Sequence, residues 1–121
     1  MLAAMELVRE VVARGRPQLF CACFGHQLLA AALGGAVRSS DAFVFEAEDV
    51  VLGGPWRAWA EGAGIAADAS WSGELRIVES HGDFVATLPP GATLLGSSPT
   101  CINEVVAVGP SVLSVQGASP S

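Results

Sequence analysis

Cys21-Ala22-Cys23-Phe24-Gly25-His26-Gln27-Leu28-Leu29 is the stretch on which the rest of the chain turns. A short apolar run, Leu19 to Ala22, reaches a cysteine, passes a glycine and continues as an apolar segment of helical character. The pattern predicts a strand, a tight turn and a helix, with the Cys23 thiol at the apex. Gly25 lets the backbone bend without a side-chain clash. A helix that begins at the sulfur brings its positive end there, which favours thiolate over thiol. The N–H of Phe24 is then placed to meet an oxyanion formed on a substrate. This is the cysteine version of the nucleophile elbow that hydrolases build around serine.

Upstream, Leu2, Met5, Val8 and Val12 recur at helical spacing while Glu6, Arg9, Glu10 and Arg14 fall elsewhere. Met1–Arg14 is therefore expected to be an amphipathic helix, supported by an i,i+4 Glu10–Arg14 pair. Gly15 is a plausible stop, and Pro17 prevents the helix from continuing. Gln18 to Ala22 follows as a strand without polar alternation beyond Gln18, the pattern of a strand buried on both faces in a parallel sheet. Helix, strand, elbow and helix form an α/β order. Downstream, Gly34-Gly35 ends the second helix, and Ala36–Arg38, Phe43–Phe45 and Asp49–Leu52 read as short strands. Gly53-Gly54-Pro55 reads as a turn, and Trp56 to Gly73, with Trp56, Trp59 and Trp71 among Ala, Gly and Ser, as a helix and a loop. Leu75–Glu79 alternates as a strand, and Pro89-Pro90-Gly91 is a turn. Thr93–Leu95, Glu104–Val108 and Val112–Gln116 are three further strands.

At 121 residues the chain is one domain at most. Its net charge is −6, with six Arg and no Lys, which argues against nucleic acid or an anionic membrane as partner. Three cysteines are an odd number, and Cys21 and Cys23 are too close for an easy bridge, so a reduced, cytoplasmic setting is expected. The N-terminus carries Glu6 and Glu10 and lacks the basic region of a signal peptide. No apolar run approaches the roughly eighteen residues of a membrane span. The two His and three Cys match no zinc spacing, and no glycine-rich phosphate loop is present, so neither metal nor cofactor is expected. The mean hydropathy of +0.49 is high for a small domain, as for a core deprived of elements that cover it.

Three blocks carry a resemblance to a known family. Cys23-Phe24-Gly25-His26-Gln27-Leu28-Leu29 with Ala32-Leu33-Gly34-Gly35-Ala36-Val37 resembles the nucleophile segment of class I glutamine amidotransferases. Ser80-His81-Gly82-Asp83-Phe84-Val85 followed by Leu88-Pro89-Pro90-Gly91-Ala92 is similar to a second block of that family. Ser114-Val115-Gln116-Gly117 resembles the strand leading into its catalytic His-Pro-Glu. The nearest resemblance is to stand-alone amidotransferases similar to the glutaminase part of GMP synthase, including plant γ-glutamyl peptidases. It covers Pro17–Arg38 and Leu75–Gly117, about half the chain. It implies a partial Rossmann-like (flavodoxin-like) α/β fold, a parallel or mixed sheet with flanking helices. The family domain is about twice as long, so residues 1–121 are expected to be a single incomplete domain, cut short at both ends.

The resemblance also implies roles. Cys23 is the nucleophile and Phe24 N–H an oxyanion donor. Gln27 helps to hold glutamine, and the Ser80–His81 region shapes the substrate pocket through a Ser-His-Gly-Asp turn. His26 is not the base in this family and reads as structural. His81 with Asp83 could form a base–orienter pair, but a pocket wall is the stronger reading. Cys21 stands where the family usually has glycine, Cys101 reads as a core or loop thiol, and the tryptophans as packing residues. Where the family continues with His-Pro-Glu, this chain has Ala118-Ser119-Pro120. The expectation is a domain for hydrolysing glutamine or γ-glutamyl amides, inactive or impaired as the chain stands. The alternative is a non-catalytic interaction module derived from the same fold. The partners expected are glutamine or a γ-glutamyl small molecule, and either further copies of the chain or an ammonia-accepting protein.

Overall fold

The computed structural model describes residues 2–14, 19–62 and 74–117. The expected features at Gly15, Pro17, Gln18 and Trp71, and positions 118–121, lie outside the described residues. The elements run α1 (Leu2–Arg14), β1 (Leu19–Ala22), α2 (Phe24–Ala32), β2 (Ala36–Leu52), α3 (Gly54–Gly62), β3 (Glu74–Thr87), β4 (Ala92–Ser98), β5 (Cys101–Val108) and β6 (Val112–Val115). The strands form one mixed sheet in the order β1-β6-β5-β4-β2-β3. Within it β1 and β6 are parallel, with Leu19 opposite Val112 and Ala22 opposite Val115. The remaining neighbours are antiparallel.

Alternation along the strands sends their side chains to two separate apolar layers. Cys21 and Val112 pack with Leu29 of α2, joined by Val8 and Val12 of α1 and by Val108. Val105, Ala107, Val50, Ile77 and Leu95 form the other layer, against which Leu113, Val115, Trp56 and Trp59 pack. Thus α1 and α2 cover one side of the sheet and α3 the other. Val8 and Val12 of the helical stripe that predicted α1 are the residues it packs inward, and Arg9 Nε adds a 2.7 Å bond to the carbonyl of Ala32 at the C-terminal end of α2. On α3, Trp56 and Trp59 stack with ring centroids 5.8 Å apart, and Trp59 Nε1 donates to Gly109 O at 2.8 Å.

Four local expectations differ from what the chain does. β1 is an edge strand, and its Phe20 is 64% exposed, so it is not buried on both faces. Ala36–Arg38, Phe43–Phe45 and Asp49–Leu52 are parts of the single strand β2, because pairing with the equally long β3 carries the backbone across the acidic interruptions. Gly53-Gly54-Pro55 leads directly into α3, where proline in the first turn sacrifices no helical hydrogen bond. Ser80-His81-Gly82-Asp83 is strand rather than turn. The irregularity lies across from it: Ser39 pairs with Asp83 and Val44 with His81, so residues 40–43 bulge opposite Gly82. Ser40 Oγ to Gly82 O (2.7 Å) and Ser39 Oγ to Asp83 Oδ1 (3.0 Å) tie the bulge down.

Candidate active site

The site forms where β1 turns into α2, beside the bulged part of β3 and the end of β6. Cys23 has φ 54° and ψ −114° and is the one non-glycine with positive φ among the described residues. Its N–H donates to Val115 O at 3.0 Å, extending the parallel β1–β6 ladder by one bond. Its carbonyl accepts from the N–H groups of His26 (3.1 Å) and Gln27 (3.3 Å), which starts the helix. The residue is therefore gripped on both sides in a conformation that L-residues avoid, as a nucleophile elbow requires. Phe24 is the first residue of α2, so its N–H has no carbonyl partner within the helix.

The Cys23 thiol is half-buried, and Cys21 and Cys101 are buried; all three are free. Burial pushes the Cys23 thiol up, and the nearby carboxyl groups of Glu79 and Glu104 push it further in the same direction. The net direction is opposite to that expected from the helix end alone. Glu79 and Glu104 are both 0% exposed. Glu104 is pushed up to about 8, first by burial, then by its hydrogen bond and charge repulsion with Glu79. Glu79 is raised as well, chiefly by burial. Neither Glu79 oxygen has an aligned hydrogen-bond donor among the described residues when the group is read as a carboxylate. A proton carried by Glu104 supplies one. Glu104 also accepts from Gly117 N–H (2.7 Å) and from Ser98 Oγ (3.1 Å), which fixes it under the end of β6.

A cleft of about 320 Å³ opens beside the thiol, lined by Cys23, Phe24, Gln27, His81, Gly82, Asp83 and Gln116. Four of the residues singled out in the sequence, Cys23, Phe24, Gln27 and His81, meet here. Ser80 precedes His81 on β3, opposite Phe45. Gln27 Nε2 donates to Asp83 O at 2.9 Å and to Gln116 Oε1 at 3.2 Å. His81 gives its Nδ1–H to Asp83 O at 2.9 Å and brings Nε2 within 2.9 Å of Glu79 Oε2. Both of its ring nitrogens thus face protein oxygens. His26 points away from the cleft into the protein: Nε2–H donates to Asn103 O (2.8 Å) and Nδ1 accepts from Ser114 Oγ (2.6 Å). Burial lowers it to about 4, so it stays neutral and fastens α2 to β5 and β6. Among the described residues no three His, Cys, Asp or Glu side chains gather to hold a metal, and no helix is long and apolar enough to cross a membrane.

No protein-family model matches the chain. It is 38% identical over 98 residues to a glutamine-hydrolysing GMP synthase of Bordetella avium, covering 81% of this chain and 18% of that protein. A glutamine-hydrolysing GMP synthase of Burkholderia vietnamiensis is 40% identical over 79 residues, 65% of this chain and 14% of its own length. The chain thus spans less than a fifth of these relatives. The crystal structure of a glutamine amidotransferase from Methylobacillus flagellatus superposes on 98% of this chain with a TM-score of 0.79 and 26% identity, over 44% of its own length. The chain belongs to the class I glutamine amidotransferase family. The amidotransferase blocks seen in the sequence are far apart along the chain, and the sheet brings them to one cleft: the turn from β1 into α2 supplies Cys23, α2 supplies Gln27, β3 supplies His81 to Asp83, and the chain just past β6 supplies Gln116. Gln116 and the carboxyl pair were not predicted as site residues. Gln116 had only its place in the third block to mark it, and glutamates in strands usually face water.

Proposed function

We propose that this chain carries the thiol and the glutamine-binding wall of an amidotransferase site acting on glutamine or a related γ-glutamyl amide. The observation that carries the reading is Cys23 at φ 54°, presented at the start of α2 into a cleft that also contains Gln27. In the reaction, the Cys23 thiolate attacks the γ-carbonyl carbon and the C=O π pair moves to oxygen, which Phe24 N–H stabilises. Collapse breaks the C–N bond, ammonia leaves after gaining a proton, and water cleaves the thioester to glutamate and thiol. Gln27, with both Nε2 hydrogens donated to the protein, turns its carbonyl oxygen toward donors on the substrate.

The step this chain does not support is proton removal from the thiol. His26 and His81 are committed to other contacts, and Ala118-Ser119-Pro120 stand where the resemblance puts His-Pro-Glu. Losing triad members lowers turnover by about 10⁴- to 10⁶-fold in a well-studied hydrolase, and the raised thiol of Cys23 cannot compensate. We therefore expect the 121-residue chain to release no glutamate from glutamine above background. A chloroketone analogue of glutamine should nevertheless alkylate Cys23 in preference to Cys21 and Cys101, with free glutamine protecting. Glutamate release by the wild type that vanishes in Cys23→Ala would show that another base serves. Equal labelling of the three cysteines would remove the glutamine pocket and favour the non-catalytic interaction module, for which the exposed Phe43 and Phe45 on β2 are suited.

A further inference from the structure

We propose that Gln116 is a positioning residue that fixes which end of the Gln27 amide faces the cleft, and thereby makes a free α-ammonium group a requirement for the ligand. The inference rests on the reading of the cleft as a γ-glutamyl site. A glutamine amide has a donor end and an acceptor end of nearly the same shape, and the torsion that exchanges them is broad and roughly two-fold. Position on α2 alone therefore leaves open whether Gln27 offers a substrate N–H or C=O.

Its neighbours close that question. Asp83 contributes a backbone carbonyl, which can only accept, 2.9 Å from Gln27 Nε2. Gln116 Oε1 accepts the second Nε2 hydrogen at 3.2 Å. Reversing the Gln27 amide would set its oxygen against two oxygens. The backbone of Gln116 is fixed by its N–H bond to Glu104 O (2.9 Å) and by the Gly117 N–H bond to the Glu104 carboxyl, and the residue is 1% exposed. Turning its amide over would set Nε2 against the Gln27 Nε2 donor. Its Oε1 stays toward Gln27 although Nε2 then has no hydrogen-bond partner among the described residues. A buried orphan donor is costly, so the orientation does not serve Gln116's own hydrogen bonding. It serves Gln27.

Cys23 immediately precedes α2 and Gln27 lies in its first turn, and both line the same cleft. With the γ-carbonyl carbon at the sulfur, Gln27 is placed to meet the far end of a γ-glutamyl moiety, where the ammonium is the hydrogen-bond donor. Gln27 Oε1, held outward, receives it. Without Gln116 the amide can rotate, and the cleft loses its preference for ligands carrying that cation.

The experiment measures second-order rates of Cys23 modification by three probes: the chloroketone analogue of glutamine, the same chloroketone lacking the α-amino group, and iodoacetamide. It compares the wild-type chain with Gln116→Leu and Gln116→Glu. We expect Gln116→Leu to slow the amino-bearing chloroketone at least tenfold while the des-amino probe and iodoacetamide change less than twofold. Gln116→Glu, which keeps an acceptor toward Gln27, should restore most of the rate. Equal slowing of both chloroketones, or of neither, would overturn the proposal. If Gln116→Leu unfolds, shown by iodoacetamide reaching all three cysteines alike, the near-isosteric Gln116→Met makes the same comparison. A wild-type chain with no preference for the amino-bearing probe would fail at the earlier step and overturn the γ-glutamyl reading along with this one.

Discussion

An L-residue in the left-handed half of the φ range sits about 1–2 kcal/mol above its relaxed conformation, and at Cys23 the surrounding hydrogen bonds maintain that state. The same residue is exposed enough to react, while partial burial and then the charges of Glu79 and Glu104 hold its proton on. Limiting iodoacetamide should therefore modify Cys23 before Cys21 or Cys101 because of access, not acidity. Replacing both carboxyls, Glu79→Gln with Glu104→Gln, should lower the thiol's affinity for its proton and speed Cys23 labelling several-fold at pH 8, with Cys21 and Cys101 still slow. Peptide mapping by mass spectrometry reads both outcomes, and an unchanged Cys23 rate would exclude the carboxyl pair as its brake. Cys23 and Gln27 were legible in the sequence because the elbow is a local pattern. The brake was not, since Glu79 and Glu104 approach each other only through the packing of β3 near β5.

Among the elements, the junction of α2 with β2 is closed by backbone atoms. A Cβ at Gly35 would stand 2.6 Å from Thr87 O and 3.0 Å from Ala30 O, both backbone atoms. Gly35→Ala should cost about 1–3 kcal/mol or more in urea unfolding, because neither carbonyl can swing aside. Gly62→Ala, at the end of α3 with nothing within 4 Å, is the matched control and should be neutral or slightly stabilising. The same region shows where sequence patterns fail. Glu48 and Val50 of β2 are both buried, two residues apart on one face, and Glu48 is accommodated by Thr100 Oγ1 at 2.9 Å. In the sequence the acidic residues around them looked like breaks between strands. Likewise the Ser80–Asp83 segment has the composition of a turn, yet partner contacts from Ser39 and Ser40 keep it in the ladder. Helical periodicity recognised α1, while β4, β5 and β6 were recognised as short apolar runs set off by turn residues.

Across the whole molecule, two buried titrating groups oppose each other in acid. His26, held at about 4 against an ordinary 6.5, takes up a proton more readily when unfolded, so its contribution to stability is lost as pH falls from 6.5 toward 4. Glu104, at about 8 against an ordinary 4.5, keeps its proton when folded, so its contribution declines as pH rises from 4.5 to 8. Above pH 6.5 His26 no longer offsets it, and Glu79, raised too, acts in the same sense. Unfolding free energy should therefore drop by roughly 2 kcal/mol between pH 6.5 and 8, one proton's worth of linkage. Glu104→Gln should flatten that decline in denaturant titrations, and a wild-type profile level over this interval would contradict the assignment. The α/β order and the elbow were readable along the chain, and the resemblance supplied a parallel or mixed sheet; the residues alone did not show which strands pair, because the parallel pairing of β1 with β6 joins distant segments. The bond from Cys23 N–H to Val115 O belongs to that same long-range closure. During translation the residues of the elbow emerge from the ribosome well before β6 is made. Until Val115 docks, nothing on that side holds Cys23 out of an ordinary backbone conformation, so a nascent chain carries an unremarkable cysteine. The backbone conformation that presents its thiol to the cleft is thus set by the completion of the sheet, and a chain that stalls before then lacks it.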